Sequence, residues 1–130
     1  MKKITLLLVI IFTFLFSNTS LGDWTLVVES ESGNNFYYDK DRIRKSGKYL
    51  YFWELIDYLK PDNWGNLSVT RYVQLDCSIL RHKFLKFHRY NNSMGKGKLN
   101  GSSTPKDEWD YPPPNSVDEI VCNFVCEKHQ

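Results

Sequence analysis

The chain has 130 residues, and the first 22 have the pattern of an export signal, so 130 minus 22 leaves 108, a length suited to one domain. All 15 acidic residues follow Gly22, whereas two of the 17 basic residues precede it, so the remainder carries 15 charges of each sign. This balance removes the usual argument for a polyanion-binding protein and argues against a strongly charged disordered chain.

The N-terminal segment combines a basic start with a short apolar run. Two lysines precede an apolar stretch at residues 4–16, which is shorter than the roughly 20 residues that a bilayer crossing needs. Ser20 and Gly22 satisfy the small-x-small rule for cleavage before Asp23, and a retained anchor helix is the alternative. Because the first cysteine is Cys77, we expect no lipid-modified terminus and a soluble product in the periplasm or outside the cell.

Extended segments alternate with turn signals over residues 24–90, which is typical of an antiparallel sheet. Strands are predicted at residues 24–30, 36–39, 49–58, 67–77 and 79–90, with a short turn or helical loop at 39–44. Residues 91–106 hold three Gly, three Ser and three Asn and predict a long loop.

The C-terminal segment changes to a helical period. Ser116 and Glu119 form a capping box, and apolar residues follow at positions 117, 120, 121, 124 and 125. A helix with this single apolar stripe must pack on an apolar surface, and the sheet is the only candidate.

The three cysteines are Cys77, Cys122 and Cys126, and export makes one disulfide and one remaining thiol their default state. A bridge from Cys77 into the helix closes a loop of about 50 residues, worth about 4 kcal/mol. Helical geometry places Cys122 nearer the apolar stripe, but the last turn frays, so both partners stay open. A zinc site including His129 is the alternative, but it lacks a fourth ligand and CxxC spacing, so we predict no metal.

The sequence contains none of the GxSxG, HExxH or P-loop patterns, so we predict a non-enzymatic protein with no catalytic residues and no cofactor. His82 and His88 are six residues apart on a predicted strand, which would place both on one face, about 20 Å apart, as surface histidines. Glu54 and Asp57 lie in an apolar strand and point to opposite faces, and we expect them to form cross-strand ion pairs with Arg71 or a neighbouring lysine. Aromatic residues at positions 49, 51, 52, 53 and 58 are attributed to packing, with a flat ligand as the alternative.

Charge is unevenly distributed along the chain. Residues 71–98 hold seven basic residues against Asp76 alone, whereas residues 106–128 hold two basic residues against six acidic ones. A charged edge strand explains this pattern structurally. The functional interpretation is a basic ribbon that attracts matrix glycoproteins, sulfated glycans or anionic lipids, and export makes nucleic acid an improbable target. The candidate binding residues are Arg81, Lys83, Lys86, Arg89, Lys96 and Lys98.

Several short motifs occur in an order that resembles the surface-adhesin protein E family. They extend through nearly all of the predicted mature chain. The matching residues are Tyr37-Tyr38-Asp39 with Ile43 and Gly47, the segment Trp53-Glu54-Leu55-Ile56-Asp57-Tyr58, Asp76-Cys77, Met94-Gly95-x-Gly97, Trp109, Ser116-Val117 and Phe124-Val125-Cys126.

The resemblance implies an α+β fold, in which a curved antiparallel sheet of about six strands carries a C-terminal helix tied to one face by a disulfide. It assigns that disulfide to Cys77 and Cys126, since Cys122 stands where the family has an apolar residue. Named family members are bacterial adhesins that bind host extracellular-matrix proteins, and haem binding is also associated with them. This chain departs from the adhesin pattern because it has no lipidation cysteine.

We therefore predict one surface-adhesin E-like domain at residues 23–130 that acts as an exported binding module in the periplasm, outside the cell or at its surface. An extracellular-matrix protein or a sulfated glycan is the expected partner. The alternatives are a periplasmic haem or small-ligand binder and an inhibitor or immunity-like partner of an exported enzyme. The sequence leaves open whether the chain forms a homodimer.

Overall fold

The computed structural model describes residues 24–130, so the predicted signal at residues 1–22 and the expected start at Asp23 lie outside the described residues. Within residues 24–130, no helix has the length and apolar character that a membrane crossing requires. The strands are β1 (Trp24–Glu29), β2 (Asn35–Asp39), β3 (Arg44–Ser46), β4 (Tyr49–Asp57), β5 (Ser68–Asp76), β6 (Arg81–Tyr90) and β7 (Leu99–Ser103), and the helix is α1 (Val117–His129).

All strand pairs are antiparallel, and the spatial order is β1-β2-β4-β5-β6-β7. The short β3 pairs with the first half of β4, beside the part of β4 that pairs with β2. The predicted α+β fold is confirmed. The predicted long loop at 91–106 contains β7, whose only large apolar residue, Leu99, is 48% exposed.

One face of the sheet is covered by α1 and is called the inner face below. Leu50 and Phe52 of β4 lie opposite Leu75 and Val73 of β5, and this buried set packs against Val121 and its neighbours on the helix. Burying an aromatic or branched side chain of this size stabilises a fold by roughly 1.5–3 kcal/mol. These contacts therefore fix the helix on the inner face and leave the opposite, outer face uncovered by it.

The helix begins as predicted, because the Ser116 side chain accepts a hydrogen bond from the Glu119 backbone N–H at 3.1 Å. Its buried stripe differs from the predicted one. The buried helix residues are Val121, Cys122, Val125 and Cys126, whereas Ile120 is 43% exposed. This stripe is rotated by about 100°, or one residue, from the apolar stripe of the sequence. The tie at Cys126 accounts for the rotation, because it holds that side of the helix toward the sheet.

The disulfide joins Cys77 and Cys126, with Cα atoms 5.8 Å apart, so the pairing implied by the family resemblance is confirmed. Cys122 is free and buried, and its Sγ lies 3.7 Å from Nδ1 of His82. Burial raises the pKa of the Cys122 thiol to about 12. The zinc alternative is wrong, because Cys126 is oxidised and His129 bonds the Tyr38 hydroxyl at 2.9 Å.

A buried ion pair explains the charges within the apolar strands. Glu54 and Arg71 are direct cross-strand partners, and Arg71 Nε donates to Glu54 Oε1 at 2.7 Å. Its Nη2 also donates to Asp118 of α1 at 3.2 Å. Burial lowers the pKa of Arg71, but the two carboxylates outweigh it and the net shift is upward, so the guanidinium stays charged. The predicted ion pair is confirmed for Glu54 but not for Asp57, which has no ion pair among residues 24–130 and accepts from the Met94 backbone N–H. Arg71 also links the sheet to the helix.

Strand β6 contains a bulge that changes the face of its side chains. Tyr72 lies opposite Lys86, but the next residue, Val73, lies opposite Phe84, so Leu85 is the extra residue. The predicted placement of the two histidines is therefore wrong. His82 is on the inner face and only 4% exposed, whereas His88 is on the outer face.

Candidate ligand-binding face

The six predicted basic residues do not form one ribbon. Arg81, Lys83 and Lys86 lie on the outer face, because they pair with Asp76, Gln74 and Tyr72 of β5. Arg89 is on the inner-face side and donates from Nη1 to the Ser103 hydroxyl at 3.1 Å. Lys96 and Lys98 lie in the exposed connection between β6 and β7.

Two of the outer-face cations already have carboxylate partners. Arg81 Nε lies 3.1 Å from Asp76 Oδ2, and Lys83 Nζ lies 2.6 Å from Asp107 Oδ1. Burial opposes ionisation of Asp76, but hydrogen bonds from Ser78 and Arg81 lower its pKa overall. The acidic C-terminal segment therefore neutralises part of the basic excess of β6.

Lys86 and Arg44 are the outer-face cations with no ion pair among residues 24–130. Lys86 is half-buried and lies directly opposite Tyr72 on β5. Arg44 of β3 is exposed, and its guanidinium carbon lies 4.4 Å from the centre of the Tyr51 ring. These two cations remain available to an acidic ligand.

Between these cations, four half-buried rings form an aromatic ladder. The Tyr51 and Tyr72 ring centres are 6.2 Å apart, and those of Tyr72 and Trp53 are 4.9 Å apart. Trp53 in turn lies 5.5 Å from His88, at an angle of 21° between the ring planes. The ladder therefore crosses β4, β5 and β6 on the outer face.

The Tyr51–Tyr72 and Trp53–His88 pairs are stacked, with ring planes inclined by 30° and 21°, and the Tyr72–Trp53 pair between them is tilted by 37°. Arg44 covers a face of Tyr51, at the end of the ladder. Most ring faces are thus occupied, and the ladder presents its edges and polar atoms. Within residues 24–130, the hydroxyls of Tyr51 and Tyr72 and the indole N–H of Trp53 have no hydrogen-bond partner.

Both ends of the outer face are covered by other segments. At one end, Trp109 lies 5.4 Å from the Tyr49 ring, with the Arg81 guanidinium 4.2 Å from the Trp109 centre.

At the other end, the Met94 backbone N–H donates to Asp57 Oδ1 at 2.8 Å. Gly95, at φ 68°, lies beside Leu55 and Thr70, and the chain passes close to the sheet there. The open part lies between these covers.

His88 is the titratable member of the ladder. Its Nδ1 is 2.7 Å from the Ser102 hydroxyl of β7, which holds the ring in place. Burial, followed by the charge of Lys86, lowers the pKa of His88. The imidazole is therefore neutral at pH 7 and gains a proton only on acidification.

A separate cleft of about 360 Å³ lies where β4 ends, beside the β1–β2 turn. It contains none of the six predicted binding residues. Its lining residues are Ser32, Asn34, Tyr58, Leu59, Lys60 and Asp62.

Sequence reasoning missed Arg44, Tyr72 and Trp109 as site residues. Tyr51 and Trp53 belonged to the predicted aromatic set, and their alternate positions on β4 were the available signal. Phe52 of the same set is fully buried on the inner face, so its assignment to core packing is confirmed.

A sequence model described as surface-adhesin protein E matches residues 24–127, nearly the whole described part of the chain. The chain belongs to the surface-adhesin protein E family. Its resemblance to that family is thereby confirmed, and the protein is an adhesin-like binding module. Surface-adhesin membership points to an exported or surface location and to a non-enzymatic role.

Solved structures of the family's Haemophilus influenzae protein E have a similar fold. One structure is 16% identical, with a TM-score of 0.61, covering 87% of this chain and 89% of that chain. A second crystal form has a TM-score of 0.60 at 16% identity and covers 87% of this chain and 93% of that chain. A third, from a non-typeable H. influenzae, has a TM-score of 0.59 at 16% identity and covers 85% and 79%. A comparison with curated proteins finds no match.

Proposed function

We propose that this protein is an exported, non-enzymatic adhesin that binds an acidic component of the host extracellular matrix through its outer face. The observation that carries the proposal is the aromatic ladder flanked by Arg44 and Lys86, two cations without ion pairs among the described residues. Family membership supports a role as an adhesin, and the outer face is the candidate surface for binding the ligand.

The electrostatics of the central strands favour an acidic ligand. The outer-face carboxylates of β4 and β5 are Asp57, bonded to the Met94 N–H, and Asp76, bonded to Ser78 and Arg81. Arg81 compensates the charge of Asp76, whereas Asp57 accepts only a backbone hydrogen bond, at the end of the face that the Met94 segment covers. Arg44 and Lys86 have no ion pair among the described residues, so an approaching anion meets a net attraction that increases its rate of encounter.

The proposal refines the predicted binding set of Arg81, Lys83, Lys86, Arg89, Lys96 and Lys98. Lys86 flanks the ladder on β6, and Arg44, which the sequence did not single out, flanks it on β3. Arg81 and Lys83 support one end through Trp109, whose ring centre lies 4.7 Å from Lys83 Nζ. Arg89 belongs to the opposite side of the sheet, so we assign it no direct contact with the ligand.

Binding to an immobilised extracellular-matrix preparation tests the proposal. Changing Arg44 and Lys86 together to Ser should weaken binding by at least about tenfold at low salt, because two charge-assisted contacts are removed. The parent's binding should also weaken as added salt shortens the Debye length below about 8 Å. Intact cells should bind the same matrix, because an adhesin must be exposed at the surface.

The matched control changes Lys45 and Lys60 to Ser, which removes the same charge. Lys45 is next to Arg44 on β3 but points to the other face, because it pairs with Leu50. Lys60 is exposed beyond the end of β4. Equal weakening in the two double variants would show that only net charge matters, and the outer face would lose its assignment.

A further inference from the structure

We infer that the ligand of the outer face is a sulfated glycan chain that contacts Arg44 and Lys86, whose strands lie about 14 Å apart, and a row of hydrogen-bond donors between them. The inference rests on the proposed function, because it names the ligand class for the same face. It follows from the spacing of the cations, the polar atoms of the ladder and the occupied ring faces.

The positions of the two cations on separate strands favour an extended ligand. Arg44 is on β3 and Lys86 is on β6, so three strand-to-strand steps separate them. Neighbouring strands are about 4.8 Å apart, which gives about 14 Å across the sheet. A chain with repeated anionic groups can contact both cations and the ladder between them.

The atoms between the cations are hydrogen-bond donors. The Tyr51 and Tyr72 hydroxyls and the Trp53 indole N–H have no partner among residues 24–130, and all three groups can donate. The exposed ring edges are also the electropositive part of an aromatic ring. A sulfate group carries a negative charge shared by three acceptor oxygens. It can therefore accept hydrogen bonds from these donors and is attracted by the positive charges of Arg44 and Lys86.

The same arrangement disfavours the other ligand classes. A planar ligand such as haem needs a free ring face, but the ladder rings cover one another's faces. Recognition of an extended peptide commonly adds a strand to a free sheet edge. The ladder strands β4, β5 and β6 are all paired on both sides, so the ladder offers no such edge.

Removing the hydroxyl donors without disturbing the ladder tests the inference. The probes are a heparin-derived octasaccharide and the same octasaccharide after chemical desulfation, measured by calorimetry. The parent should bind only the sulfated form. Changing Tyr51 and Tyr72 together to Phe should weaken that binding by at least about tenfold, because two hydrogen bonds from the hydroxyls to the sulfate groups are lost while the rings remain.

Tyr111→Phe is the control, because Tyr111 is 63% exposed and lies outside the ladder. It should leave octasaccharide binding unchanged. Undiminished binding by the Tyr51→Phe, Tyr72→Phe double variant would overturn the assigned donors, as would equal binding of the desulfated probe.

A matrix preparation treated with glycosaminoglycan-degrading enzymes separates the inference from the proposed function. If the protein no longer binds the treated matrix but binds the untreated one, the result supports both the proposed function and the sulfated glycan as the ligand. Full binding to the treated matrix, without binding to the octasaccharide, overturns the glycan and leaves a matrix protein as the partner. Failure to bind either matrix overturns the proposed function, whatever the octasaccharide does.

Discussion

Leu85 is the residue that decides which side chains of β6 reach the outer face. It is the extra residue of the bulge, so Lys86 and His88 lie on the face opposite His82. Strict alternation would place all three on one face, because side chains alternate with a period of two. The poor alternation of this segment is visible in the sequence, but the position of the extra residue depends on pairing with β5.

His88 gives the outer face a pH dependence. Its pKa is lowered in the free protein, and a bound sulfate would favour the imidazolium and raise that pKa. Affinity for the sulfated octasaccharide should therefore rise as the pH falls toward the lowered pKa of His88 in the free protein, and level off below it. Calorimetry between about pH 7.5 and about pH 5.5 measures the effect, and His88→Gln should remove it.

Acidification also acts on the inner face, so the fold must be checked at each pH. Burial lowers the pKa of His82 in the folded protein. Between that lowered pKa and the ordinary value, His82 is therefore protonated in the unfolded chain but not in the folded one. This contribution to stability is complete above about pH 6.5 and is lost as the pH falls toward the lowered pKa. Circular dichroism at each pH provides the control. An equal gain in affinity for parent and His88→Gln would contradict the role of His88.

At the scale of elements, α1 is held to the sheet by a covalent tie, a buried ion pair and apolar packing. The disulfide connects residues 49 positions apart, and Arg71 bonds Asp118 in the first turn of the helix. Cys122 faces the sheet between these two attachments. The apolar stripe of the sequence could not reveal this orientation, because the tie and the ion pair rotate the helix away from it.

The disulfide should contribute more to the free energy of unfolding than the free thiol of Cys122 does. Cys77→Ser should lower it by about 2–5 kcal/mol, because the unfolded chain gains the freedom of a large loop. Cys122→Ser should cost about 1 kcal/mol, since it replaces a small buried thiol that makes one weak contact. Urea denaturation measures both values. A loss for Cys122→Ser as large as that for Cys77→Ser would show that packing beside His82, rather than the tie, holds the helix.

At the scale of the whole molecule, sequence patterns predicted the antiparallel sheet, the C-terminal helix and the difference between the two faces of the sheet. The clean alternation of residues 67–77 and the capping box at Ser116 predict local structure that tertiary contacts preserve. β7 was missed because the residues of Leu99–Ser103 after Leu99 are small or polar, and pairing with β6 gives the segment its strand form. Local pattern carries little information where the neighbouring strand supplies the stabilisation.

The binding face was less predictable than the fold. The basic residues of β6 were recognised, but their partners Asp76 and Asp107 come from distant parts of the chain. The contact between Trp53 and His88 joins β4 and β6, which are not neighbours in the sheet. Such contacts depend on the register of three strands, which a single sequence does not fix.

The four tryptophans allow a direct test of the outer face as the binding surface. Trp53 is in the ladder, Trp109 is at one end of the face, Trp24 is on β1, and Trp64 is 77% exposed in the loop before β5. Titration with the sulfated octasaccharide, followed by NMR of the four indole N–H signals, should shift Trp53 most and leave Trp64 unchanged. A shift of Trp64 or Trp24 with Trp53 unmoved would place the ligand elsewhere and contradict the assignment of the outer face.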